Sequence, residues 1–177
     1  MFEEYLEDAS YFLDKARKAN EEKAAKRYYR VSVFCAASAM EAFINYEADT
    51  LSKGAPLQPH EIAFISDKKF VFELNKQNLL VERNEFHPLE DKLGLLIKKF
   101  ISGFDFKSNP DWKIITQFKE FRNTLVHPRE SEDKTSLKQY DETLKSSISS
   151  IIVIMDMLYQ SMHHSRLRPK LLDLMPD

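Results

Sequence analysis

The chain has 177 residues, 43% hydrophobic and 31% charged, with only three glycines and one cysteine. That length supports one domain with its own core, and so little glycine favours long helices over a turn-rich sheet protein. Twenty-six lysines and arginines against twenty-eight acidic residues leave a net charge of −2; this excludes polyanion binding by bulk charge, so any nucleic-acid contact has to be local.

Phe2, Leu6, Ala9, Leu13 and Ala16 step by four and three, which predicts an amphipathic first helix. A charged hinge or continuation at 20–27 leads into a second helix running to about Leu51. It is apolar or small nearly all round from 31 to 46, so it is expected to be the most buried element. Lys53, Gly54, Ala55 and Pro56 stop it. Residues 57–87 read as a short helix followed by an irregular, Phe-bearing insertion. Residues 69–73 alternate like a strand, but no partner strand is evident and a lone hairpin is marginal in water. Pro88 opens a helix with Leu89, Leu93, Leu96 and Phe100 inward. Asn109 and Pro110 form a cap and first position for the helix that carries Ile114, Phe118, Phe121 and Leu125. Ser136 and Gln139 make a capping box for the last helix. Its apolar seam, Leu137, Tyr140, Leu144, Ile148, Ile151, Met155, Leu158 and Met162, is long enough for several neighbours, in the chain or across a dimer. The sum is an all-α, up-and-down bundle of about five main helices, one domain over 1–177, with an irregular insertion around 57–87.

Compartment and chemistry are bounded by absences. The lone Cys35 can form no internal disulfide, and residues 1–4 are acidic where an export leader would be basic and apolar, so a cytoplasmic protein is expected. The longest uncharged run, 146–155, falls short of the roughly 20 residues of a spanning helix, so no membrane association is expected. There is no glycine-rich phosphate loop, nucleophile elbow, CxxC or HExxH. Nucleotide hydrolysis, acyl transfer and zinc hydrolysis are therefore not indicated, and neither a cofactor nor a metal is expected.

Residues 121–130, FRNTLVHPRE, carry the sharpest signal. Arg122 and His127 supply the two groups that RNA cleavage by its own 2′-hydroxyl needs: a base for the hydroxyl proton and a fixed cation for the charge on the phosphorane oxygens. Five steps along an ideal helix turn a side chain by roughly 140°, which would separate the two. Pro128 disfavours helix at the residue before it, so the helix should end near Val126 and release His127. Basic residues at a helix end also serve simply as caps.

The pattern Arg-Asn-x-x-x-His at Arg122, Asn123 and His127 resembles the signature of HEPN domains, small all-helical proteins. The small-residue, Glu-bearing stretch at 36–48, AASAMEAFINYEA, resembles a core helix of many members. The resemblance implies a metal-independent endoribonuclease of a toxin or defence system, with the active site completed in a homodimer. Some members are instead inactive partners of an antitoxin or nucleotidyltransferase. Pro128 stands where relatives often have a small residue. Glu41, with Ser38 and Asn45 on its face, is expected to be buried and to pair with Arg122, either as an orienting group or as a tie between helices. Breaking such a buried pair would cost roughly 3–5 kcal/mol.

The catalytic set read from the chain is thus Arg122, Asn123, His127 and Glu41, acting on RNA. His163, His164, Arg166, Arg168 and Lys170 read as a solvated basic end. Lys23, Lys26, Arg27 and Arg30 read as a solvated stripe able to guide phosphate. His60 and His87 are assigned nothing.

Overall fold

The computed structural model describes residues 1–53, 57–73, 79–127 and 133–176. Within them the chain forms α1 (Phe2–Arg17), α2 (Glu22–Ser52), α3 (Pro59–Ile65), β1 (Lys68–Glu73), β2 (Leu79–Asn84), α4 (Leu89–Phe100), α5 (Pro110–Val126), α6 (Leu137–His163) and α7 (Pro169–Leu172). α3 and α7 are short, so the described chain is the expected all-α bundle of five main helices, with one small sheet added.

α1 forms because its five apolar positions fall on one stripe, and all five are buried. It lies antiparallel on α2: Ser32 Oγ donates to the Ala9 carbonyl at 2.7 Å, and the Phe2 ring meets the edge of Phe43 at 5.3 Å. α6 is the centre of the molecule. Leu144, Ile148, Ile151, Met155 and Leu158 are each at most 2% exposed, and α1, α2, α4 and α5 all pack on it. The middle of its apolar seam is therefore used inside one chain, while Leu137 and Met162 at its two ends are only partly buried.

α2 departs from expectation in the opposite sense. Ala36 and Ala39 are fully buried, their small side chains letting neighbouring helices approach, but Val31, Phe34 and Tyr46 are 38%, 41% and 49% exposed. The outward side of α2 thus carries exposed apolar side chains interspersed with exposed Arg27, Glu41 and Asn45. Gly54 to Pro56, read as its stop, lie outside the described residues; α2 itself ends at Ser52 with Lys53 as cap.

The described part of the insertion is mostly regular. After α3, capped by a reciprocal Gln58 and Glu61 box, β1 and β2 pair antiparallel from Lys68↔Asn84 to Glu73↔Leu79. The strand-like alternation was real, and its partner strand begins at Leu79. A two-stranded ribbon is marginal alone, and this one is fixed at its base. Asp67, in the left-handed region at φ 57°, accepts the Glu85 N–H on its carbonyl at 2.8 Å and the His87 N–H on Oδ1 at 2.8 Å. Its Oδ2 takes the ammonium of Lys92, which is 6% exposed within α4. Cross-strand Lys68 with Glu82 and Lys69 with Glu85 complete the support.

The C-terminal cations Arg166, Arg168 and Lys170 are exposed, as a solvated basic end should be, but each is also paired. His164 closes α6 in the left-handed region at φ 55° and turns the chain back. Arg166 Nε and the Leu167 N–H both donate to Asp156 at 2.9 Å, while Arg168 and Lys170 pair with Glu3 and Glu7 of α1. Buried Leu167 and Leu171 explain the return, because they seat the tail on the core.

Candidate functional site

α5 starts where Asn109 accepts the Trp112 N–H at 2.8 Å, and it ends at Val126. His127 has φ −122° and ψ 65°, outside the helical region, as a residue before proline should be. Pro128 itself lies outside the described residues. The His127 N–H still donates to the Asn123 carbonyl at 2.9 Å, so the backbone is held while the exposed imidazole makes no hydrogen bond or ion pair among the described residues.

Arg122 sits one turn earlier and is half-buried. Its Nη1 donates to Asn123 Oδ1 at 3.2 Å, and its Nη2 lies 3.8 Å from Glu41 Oε1. The second distance is an ion-pair approach, too long for a hydrogen bond. Nε is shielded from solvent and has no acceptor among the described residues, a buried donor that costs about 1–3 kcal/mol if left unpaired. Arg122, Asn123 and Glu41 therefore come together, and His127 joins them at the same helix end through its backbone.

Glu41 corrects one expectation while keeping another. It does meet Arg122, but its side chain is 53% exposed, and a pair so open to water contributes about 0–1 kcal/mol. The buried line of α2 runs Ala36, Met40, Phe43, Glu47. Glu41 is one residue off that line, about 100° around the helix. The carboxylate that burial forces to find a partner is Glu47, which is 0% exposed. Its Oε2 lies 2.8 Å from His163 Nε2, and its Oε1 has no partner among the described residues. Burial pushes the Glu47 carboxyl above its ordinary value, against the opposing hydrogen bond from His163. The His163 ring also rests on Tyr159 at 4.5 Å. The missed signal was the four-and-three stepping itself, which Glu47 continues.

The chain after His127 is caught again at Asp133. Its Oδ2 accepts Tyr140 Oη–H at 2.7 Å, its Oδ1 accepts the Thr135 N–H at 3.0 Å, and its carbonyl accepts Lys26 Nζ at 3.0 Å. Arg30 lies 3.6 Å away. Burial pushes the Asp133 carboxyl up, but these partners outweigh it and hold it below its usual value. Two members of the expected phosphate-guiding stripe are thus anchors for this junction, while Lys23 and Arg27 stay exposed. Tyr140 in turn stacks on Tyr29 and meets Phe121 edge-on, both at 5.4 Å, which braces the turn that carries Arg122. Among the described residues no three His, Cys, Asp or Glu side chains converge as a metal site, and no helix is long and apolar enough to cross a membrane.

Comparison with protein-family models, with curated proteins and with solved structures found no match.

Proposed function

We propose that this chain is a HEPN-type, metal-independent endoribonuclease of the cytoplasm, in a toxin or defence role. The observation that carries the reading is the end of α5: a guanidinium aligned by Asn123 and Glu41 and, five residues on, an exposed imidazole with no hydrogen bond or ion pair among the described residues. Only one guanidinium N–H is used by a described hydrogen bond, so Arg122 keeps donors for a phosphate. In the proposed reaction His127 takes the proton of a ribose 2′-hydroxyl, whose oxygen attacks the adjacent phosphorus. Arg122 stabilises the phosphorane, Asn123 and Glu41 orient Arg122, and the 5′-oxygen leaves with a proton. The products are a 2′,3′-cyclic phosphate and a 5′-hydroxyl. One imidazole cannot serve as base and acid at once, so a second copy of the motif, supplied by a homodimer, would give the leaving-group proton.

The test is cleavage of single-stranded RNA in EDTA with analysis of the ends. Wild-type protein should leave cyclic phosphate, and His127→Ala should lower the rate at least ~10²-fold with an unchanged melting temperature, since the imidazole holds no described partner. Equal slow degradation by both proteins would overturn the reading.

A second reading has its own support. Val31 and Phe34 on α2 and Val126 at the end of α5 are each more than a third exposed, surface suited to covering by a protein. On that reading the chain is a non-catalytic module that dimerises, or that binds an antitoxin or nucleotidyltransferase. Inactive protein with a partner-dependent mass in light scattering would favour it.

A further inference from the structure

Phe86 is 83% exposed, the highest value among the large apolar side chains of the described residues. Its exposure does not come from a loose backbone. The N–H groups of both its neighbours, Glu85 and His87, donate to Asp67 at 2.8 Å, and Asp67 is tied to buried Lys92. The His87 ring is in turn packed on Phe64 at 4.1 Å. A fixed turn therefore holds a bare aromatic face in water, which burial energetics alone would not favour.

The same ring edges a small cleft of about 110 Å³ whose other walls include Glu41, Ile44 and Asn45 of α2 and Leu89 of α4. Of the two carboxylates there, Asp67 pairs with Lys92 within the cleft and Glu41 faces Arg122 just outside it, so little net charge is left on the cleft. Asn45 is exposed and holds no described side-chain partner, leaving both amide donors and its carbonyl open. A neutral cleft with a flat apolar face and a free amide suits an uncharged base, and the adjoining Arg122 suits its phosphate.

We propose that this cleft is a nucleotide subsite, in which an unpaired base stacks on Phe86 with its edge toward Asn45 while the neighbouring phosphate faces Arg122. The inference rests on the ribonuclease reading and narrows its substrate to unpaired RNA, because a base inside a duplex has no free face to stack. Glu41 then has two sides, one orienting the arginine and one lining the base site.

Binding is measured by fluorescence anisotropy on the His127→Ala protein, so that cleavage does not intervene, with a labelled single-stranded RNA and its duplex. The single strand should bind more tightly than the duplex. Adding Phe86→Ala should weaken single-strand binding roughly tenfold and leave the duplex unchanged, whereas Phe86→Trp should retain it. Full single-strand affinity in the Phe86→Ala protein would overturn the subsite and leave the ribonuclease reading standing. No binding of either RNA by the parent protein would remove both. A loss equal for strand and duplex, or a smaller particle mass in Phe86→Ala, would assign the ring to folding or to contact between copies and overturn the subsite.

Discussion

α2 presents two carboxylates to two helix ends, and the two meetings have opposite physical character. At the end of α5, Glu41 and Arg122 face each other at 3.8 Å, both partly in water, and the histidine that follows the helix has no described side-chain partner. At the end of α6, Glu47 is wholly buried, bonded to its histidine at 2.8 Å, and has one oxygen without a partner among the described residues. The first pair contributes little to stability but keeps its groups open for chemistry. The second weighs heavily on stability, and its imidazole nitrogen is already taken. Burial, which sets the dielectric around the charges, separates an arrangement suited to reaction from one suited to holding helices together.

The comparison breaks most easily at His163. His163→Ala strands the Glu47 carboxylate, and the expected loss is about 3 kcal/mol in urea unfolding near neutral pH. Adding Glu47→Leu should return most of it, because no buried charge then remains. A loss below ~0.5 kcal/mol would mean that the pair does not bear on stability.

pH sharpens the same contrast. Glu47 has its folded-state value raised by burial, so its favourable contribution is complete below the ordinary carboxyl value of about 4.3 and is lost as pH rises through the raised one. Glu47→Gln carries no such titration. The variant should therefore gain stability relative to wild type as the pH climbs from about 4 toward neutrality, read as the difference between two series of melts. A difference that is flat, or that runs the other way, would contradict the buried-carboxylate assignment.

The smallest effect belongs to the open pair. Glu41→Ala should cost at most about 1 kcal/mol, and the double-mutant cycle with Arg122→Ala should show a coupling of roughly 0.2–1 kcal/mol that shrinks in high salt. A coupling of ~3 kcal/mol would restore the buried tie that the sequence suggested.

Most of the bundle was legible because its signals are local. Leu6, Leu13, Leu144 and Ile151 announce their faces by spacing alone, and Asn109 and Ser136 announce helix starts by capping chemistry, accepting the N–H groups of Trp112 and Gln139. The hairpin was half legible: β1 showed its alternation, but its support comes from Asp67 and Lys92, twenty-five residues apart. In the candidate site, the release of His127 followed from Pro128, and the approach of Glu41 to Arg122 was anticipated. The exposure of Glu41, the burial of Glu47 and the display of Phe86 were not.

The sequence by itself determined where helices begin and end, which stripe of each is apolar, and that an arginine, an asparagine and a histidine stand together where α5 stops. These follow from backbone sterics, capping and periodicity, all of which act within a few residues. The four-and-three stepping of α2 already carried which carboxylate faces the core, since Glu47 continues it and Glu41 leaves it; only the tertiary structure decided which partner each meets, Glu47 the histidine at the end of α6 and Glu41 the arginine of α5. It likewise decided that the middle of the long seam of α6 is satisfied within one chain, since how many helices gather around a stripe depends on elements far apart in sequence. Charge and burial meet in space, and neither the cost of a buried carboxylate nor the freedom of an exposed imidazole is fixed until the neighbours are in place.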